Sequence, residues 1–535
     1  MADSPDSSPK QHCWECRRRC LVCDFTTPSC KRCIASGVAC PGYGTVKPVR
    51  FQWLPPGKVK SRRRKPVDTA EPAEKGALKS KTKPAAKSVP LAPPAQTGEL
   101  AQTSAIRASF PREPPRLAQN FNLRVLTESL EYFNACILHD LLPITQLGPN
   151  PYLYEISEHH LQQAIYRPDY IHYGLLCNVL SHRINKSRGG IQMPGLEERF
   201  FHYRGIAIGS LSEHLADEGG QRSDAILAGV MTVLLLDIHH GVSQNWRMHL
   251  EGMHQLVALR GGFEALGTLD HMEQFVHCLW QFMLTSCYSL AVMGNTTCSA
   301  LDMGSTNIHL ENLDFIMAKY SGSISSFGFC PPPLIAETVR INHLRWRAAT
   351  SENMTALDLW REAYDILGRI YDFSPEQWAT SKPLSQDHWT LIGNMFWASV
   401  ALYCISSLQS MTEPPIEVST PAQRTTHVQF LYLCLAEAVA LPSVRSCTLW
   451  PLVVLGVEAA GSDDDSNRAE IRAFVAQQLE QLSRHSGTFV PLTAKRVLET
   501  FWRSGETAWD ACFDKPYAMT LLISVDIHKM MSPGS

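Results

Sequence analysis

From about Leu117 to Tyr517 apolar residues recur three and four positions apart, the period that lines up one face of an α-helix. Segments such as NFNLRVLTESLEYFNACILHDLL, SDAILAGVMTVLLLDIHH and AEIRAFVAQQLEQLSRH carry this pattern, separated by Gly, Pro and Ser breaks. Alternating strand patterns are scarce. The pattern predicts a large all-α domain over 117–517 and a C-terminal tail over 518–535. The most apolar run, Ala225 to Leu236, is about twelve residues long, while the stretches Leu279 to Met293 and Phe396 to Leu408 are interrupted by polar side chains. None reaches the roughly eighteen residues that suggest a membrane span, so all three are expected as buried helices, with no membrane partner.

Upstream the pattern disappears. From Pro66 to Arg116 the chain is rich in Pro, Ala and Lys, with Phe110 its only aromatic residue. Such a composition cannot bury a core and predicts a flexible tether. The basic linker is taken to run over 47–116, and residues 1–12 form a tail ahead of the first cysteine. No heptad run is present in the linker, which leaves monomeric action, or a homodimer through the helical body, as the open alternatives.

The 535 residues carry 49 Lys and Arg against 51 Asp and Glu, and this near-balance conceals a strong asymmetry. Residues 1–90 hold 19 basic against 7 acidic side chains, leaving 30 against 44 for the remainder. A basic head on an acidic body suits a polyanion-binding module joined to a body that stays off the polyanion.

The head also carries the most specific chemistry of the chain. Six cysteines repeat one spacing twice, C-x2-C-x6-C, as Cys13, Cys16, Cys23 and then Cys30, Cys33, Cys40. Two tetrahedral zinc ions need eight ligand positions, which six thiolates satisfy only if two sulfurs bridge. The first twelve residues, MADSPDSSPKQH, hold no apolar run that would direct secretion, which argues against a disulfide framework. A stretch this short buries too little apolar surface to fold alone, so the metal is expected to hold it together. Around the cysteines stand Arg17, Arg18, Arg19, Lys31 and Arg32, side chains suited to phosphates and guanine edges. The halves differ in charge, since Ile34, Ala35 and Ser36 follow Cys33 where three arginines follow Cys16.

The segment CWECRRRCLVCDFTTPSCKRCIASGVAC resembles the fungal binuclear zinc cluster domain, the DNA-binding module of the galactose-regulator class, over residues 13–40. Pro28 sits where that family commonly has a loop proline. The resemblance implies a domain over about 13–46 that holds two zinc ions, with Cys13 and Cys30 as the bridging thiolates. It also implies a first helix in the major groove of CGG-type sites on double-stranded DNA, reading bases three and four positions beyond the second cysteine. Those positions are Arg19 and Cys20, and Cys20 departs from the family's Lys or Arg. Cys20 also forms C-x2-C with Cys23, so it reads either as a spare thiol or as a replacement ligand that would break the duplicated register. Lys47 and Arg50 extend the basic surface. Lys58, Lys60, Arg62, Arg63, Arg64 and Lys65 read as a nuclear-import signal or a further phosphate-contacting arm, with import receptors as the partner of the first reading.

Within the body, WRMHLEGMHQLVALRGGFEALG, from Trp246 to Gly267, resembles the fungus-specific transcription-factor regulatory domain. His249-Leu250, Gly252, Leu259-Arg260-Gly261-Gly262 and Leu266 carry the likeness, and HYRGIAIGSL, from His202, fits the same order. Gly261 and Gly262 are expected to stop a helix, with Arg260 near its carbonyl end. No GxSxG, P-loop, HExxH or GxGxxG signature is present, and no enzyme is expected. His159-His160 and His239-His240 are expected as surface or cap residues rather than ligands. Asp463, Asp464 and Asp465 are expected to cap a helix start. Single cysteines such as Cys177, Cys278 and Cys404 are expected as small buried hydrophobes.

The expected architecture is therefore a small two-zinc cysteine cluster, a flexible linker and a large all-α regulatory domain. The expected function is a nuclear DNA-binding regulator of RNA polymerase II transcription that meets the transcription machinery. The alternative is a nuclear protein-interaction cofactor whose cluster binds DNA weakly or non-specifically.

Overall fold

The structure is a computed structural model that describes residues 13, 16, 23–36, 40, 123–150, 153–157, 159, 168–187, 195–217, 224–241, 245–262, 286–320, 324–325, 329–351, 354–382, 384–409, 420–461, 466–521 and 525–526. The chain divides into two units, residues 1–101 and 102–535.

In the first unit Cys16 is helical, and Lys31–Ala35 forms a short helix capped by Cys30, whose sulfur accepts the amide of Cys33. The Thr27–Pro28 peptide bond is cis.

The second unit is helical, and the packing of each helix follows from its pattern. In Ala356–Asp372 the buried residues Leu359, Trp360, Ala363, Ile366, Leu367 and Ile370 fall on a single face, as the three-to-four spacing requires. Thr355 starts that helix by accepting the amide of Asp358, and Ser374 does the same for Gln377 ahead of Pro375–Thr380, where Pro375 occupies a first-turn position that needs no donor. Helices buried on all sides are apolar all round. Every residue of Leu449–Glu458 is buried, and Glu458 is tolerated there because Arg424 and Ser406 both reach its carboxylate.

Gln386–Gln409 is the central helix, packed by Pro332–Thr350, Ala356–Asp372, Pro375–Thr380, Thr420–Ala438 and Leu449–Glu458. It corrects the expectation that no helix reaches spanning length. It runs for 24 residues, and its Gln386–Leu408 stretch is long and apolar enough by composition to cross a membrane. The sequence pattern had shown only its Phe396–Leu408 half. Its apolar window is 89% buried inside the body, the ordinary state of a core helix.

A second group of helices stands at the start of the body: Asp169–Ser187 packs against Leu196–Ala216 and Asp224–His240, and the last of these against Trp246–Ala258. Two-residue strands at Ile324–Ser325 and Val525–Asp526 pair antiparallel and are the only strands among the described residues. A single apolar core joins both groups of helices.

A buried polar network crosses the core. Arg345, fully buried, donates to Tyr403 Oη at 2.7 Å, to the carbonyl of Cys298 at 3.2 Å, and to Asp510. Tyr403 in turn donates to Asn342 Oδ1 at 2.5 Å. Trp509 and Trp450 both donate to Thr296, at 2.8 and 3.2 Å. The network ties the segment after the last long helix, Val490–Ser504, back to the middle of the chain.

Candidate metal centre and the regulatory body

Cys13, Cys16, Cys23, Cys30 and Cys33 are buried and Cys40 is partly exposed, with Phe25 packed beside them. Their sulfurs fall into two groups of four, Cys13, Cys16, Cys23, Cys30 and Cys13, Cys30, Cys33, Cys40, with the atoms of each group within 4.8 Å of one another. Cys13 and Cys30 belong to both. The Sγ atoms of Cys13 and Cys30 are 3.6 Å apart, those of Cys13 and Cys33 3.8 Å, and those of Cys16 and Cys30 3.7 Å. A disulfide would bring two sulfurs to about 2.0 Å. Four thiolates around one zinc ion at about 2.3 Å stand near 3.8 Å from each other, so this donor set fits a tetrahedral thiolate site.

The duplicated spacing produces duplicated local geometry. The amide of Cys16 donates to Cys13 Sγ at 3.4 Å, and the amide of Cys33 donates to Cys30 Sγ at 3.3 Å. The amide of Cys30 donates to Cys40 Sγ at 3.4 Å. Such donors stabilise negative charge on sulfur. Burial acts in the opposite direction, pushing the thiol of Cys33 up to about 12, that of Cys13 well above the ordinary range and that of Cys16 upward. A metal ion held by these sulfurs would reconcile the two, because metal ligation requires the thiolate.

Between the halves, Asp24 accepts from the Thr26 hydroxyl at 2.5 Å and from the amide of Lys31 at 3.1 Å. The Thr26 bond is the main reason its carboxyl titrates below the usual range. Lys31 and Arg32 stand exposed on the first turn of the short helix, with Ile34 exposed beyond them. Arg17, Arg18, Arg19, Cys20, Lys47, Arg50 and the basic block from Lys58 to Lys65 lie outside the described residues.

In the body the two motif segments meet. Arg204, from HYRG, donates through Nε to Asp237 Oδ1 at 3.1 Å, and His249 Nε2 lies 3.0 Å from Asp237 Oδ2. Asp237 is 1% exposed, and its carboxyl is held below the usual range by His249 and Arg204 against the cost of burial. It was missed in the sequence because it sits inside an apolar helix with no motif around it. Trp246–Ala258 ends as its glycines predict, with Gly261 at φ +96° and Gly262 at φ +85°.

One expectation changes. His240 is buried and stacked on Phe200, ring centroids 3.9 Å apart, and His239 is pushed down to about 4 by burial. The turn after Ser486 folds over this helix end, the amide of Phe489 donating to the His239 carbonyl at 2.7 Å, so His240 lies inside the core while His239 is half-buried. His159 is helical, while His160 lies outside the described residues. Cys177 and Cys404 are buried as expected, and Cys278 lies outside the described residues. So do Asp463, Asp464 and Asp465, just ahead of the helix Ser466–Ser486.

An all-helical body in a chain that also carries a cysteine cluster able to hold metal defines a transcription regulator of the fungal type. Residues 128–522 match the fungal specific transcription factor domain, and the chain belongs to that family. It is 40% identical over 533 residues, 99% of this chain and 92% of the relative, to the phomenoic acid biosynthesis cluster-specific transcriptional regulator of Leptosphaeria maculans. No solved structure matches the chain.

Proposed function

We propose that the protein is a nuclear, sequence-selective DNA-binding regulator of RNA polymerase II transcription, acting on the genes of a biosynthetic cluster as its relative's name describes for that protein. The observation that carries the reading is the pair of four-sulfur groups sharing Cys13 and Cys30. Two zinc ions bridged by those two thiolates would complete the cluster, with Cys16 and Cys23 on one ion and Cys33 and Cys40 on the other. Zinc supplies no chemical step here; it fixes a fold too small to hold itself.

On that scaffold the exposed Lys31 and Arg32 join Arg17, Arg18, Arg19, Lys47 and Arg50 in phosphate and base contacts. The block Lys58, Lys60, Arg62, Arg63, Arg64, Lys65 serves import. The helical body carries regulation and contacts with the transcription machinery, and a homodimer would form through it. No catalytic role is assigned to any residue.

Native mass spectrometry of the full chain tests the metal count: two zinc ions per chain support the bridged cluster, and one overturns it. Selection from random duplexes then tests the reading of DNA. An enriched CGG-like triplet supports it. Salt-sensitive binding without enrichment favours the second reading, an interaction cofactor, which rests on Cys20 standing where the resembling family has Lys or Arg.

A further inference from the structure

Beneath the first helices of the body lies a cavity of about 330 Å³, at the lower end of the roughly 300–1,000 Å³ range of ligand sites. Protein interiors are close-packed, and voids larger than a water molecule are few. This one has apolar walls. Leu126 and Leu130 come from Leu123–Tyr132, Phe133 and Ile137 from the turn that follows, and Leu176 and Val179 from Asp169–Ser187. The turn Phe133–Ile137 is π-helical, a rare geometry that concentrates at functional sites. It is clasped in place by Asn134, which exchanges hydrogen bonds of 2.9 and 3.0 Å with the backbone of Ile156. Leu175, 54% exposed, stands at the rim.

The polar groups in the wall are nearly all matched. Asp140, the one acid in the lining, pairs with Lys186 at 2.6 Å. His182 has Nε2 3.4 Å from Asp140 Oδ2 and Nδ1 3.2 Å from Tyr132 Oη, and burial pushes it down to about 4, so the ring is neutral. Its place depends on Gly487, where a Cβ would lie 2.0 Å from the ring and the φ is +60°. His239 is neutral for the same reason of burial. The exception is Asn178, whose Oδ1 is buried in the wall with no hydrogen-bond partner among the described residues. A buried acceptor without a donor is costly, and an apolar pocket with few polar groups takes up apolar molecules.

We propose that this cavity binds a small, neutral, largely apolar molecule bearing one hydroxyl or amine hydrogen, with its apolar part between the two helices and its donor on Asn178 Oδ1. A fixed negative charge is disfavoured, because among the described residues every charged group in the wall is already paired and no cation faces the space unmatched. Binding is independent of whether the cysteine cluster reads DNA.

The test uses the full chain and N-phenyl-naphthylamine, a neutral fluorescent probe with one N–H. The expected result is saturable binding at one site per chain, weakened about tenfold in Asn178→Leu and by at least that much in Val179→Trp, which fills the space. Anilinonaphthalene sulfonate, which adds a negative charge to the same skeleton, is expected to bind about tenfold more weakly or worse. Val179→Trp is itself a strain on the core, so Leu175→Trp at the exposed rim provides a second block. Hydrogen exchange on the unsubstituted protein is expected to show probe-dependent protection confined to 123–141, 169–187 and 486–488. Absence of saturable binding, equal affinity for the sulfonate, unchanged binding in the folded blocking variants, or protection elsewhere would each overturn the proposal.

Discussion

The cysteine cluster and the helical body solve the same problem by opposite means. The cluster buries five cysteines and has little else to bury, so its organisation rests on sulfur separations of 3.6–3.8 Å that a metal can satisfy. The body buries a continuous apolar core and answers buried charge within it, as Arg345 is by Asp510 and Tyr403. Ligand geometry therefore decides one fold and packing decides the other. A disturbance that ruins the first is expected to leave the second untouched.

The largest effect expected is on the cluster. Structural zinc contributes on the order of 10–16 kcal/mol in small fingers. Chelation, or Cys13→Ser at the sulfur shared by both groups, should abolish protection of 23–36 in hydrogen exchange while the melting of the body is unchanged. Cys23→Ser, which touches one group only, should retain one ion by native mass spectrometry. A body that melts together with the cluster would break the comparison.

Next comes the buried network of the body. Arg345→Met leaves Asp510 and the Tyr403–Asn342 pair without their cation and should cost about 3 kcal/mol in denaturant unfolding, with the zinc count intact. A loss below 1 kcal/mol would mean that the network is not holding the C-terminal segment.

A smaller effect follows from the histidines. Burial holds His182 and His239 near 4 and His309 near 3, against an ordinary 6.5. Between 6.5 and 4 the unfolded chain binds protons that the folded chain does not, so stability is complete above 6.5 and is lost as pH falls through that window. The melting temperature of the body should drop by on the order of a few degrees from pH 7 to pH 5. A flat profile would show these rings to be wetter than their surroundings indicate. The smallest effect expected is Arg32→Ala, which should lower the salt slope of DNA binding by about one unit while both folds persist.

Legibility in the sequence divides along the same line. The six cysteines able to hold metal could be read directly because C-x2-C-x6-C places each sulfur by chain spacing, and Cys13 and Cys30 belong to both groups of four in the structure. The stop at Gly261 and Gly262 was equally local, a matter of φ values that suit glycine. The extent of Gln386–Gln409 was read only in part, because its Asn394 and Ser399 interrupt an apolar run without interrupting a helix.

Chain spacing and period by themselves thus determined a head of six cysteines placed to hold metal and an all-helical body. Tertiary structure alone decided that Asp237 joins Arg204 to His249, that His240 is interior, and that Asn178 faces an apolar cavity. The physical reason is the range of the forces involved. Ligand spacing, capping and helical period act over a few residues, whereas the pairing of a buried charge or the shape of a void depends on groups tens to hundreds of residues apart, brought together only by the finished packing.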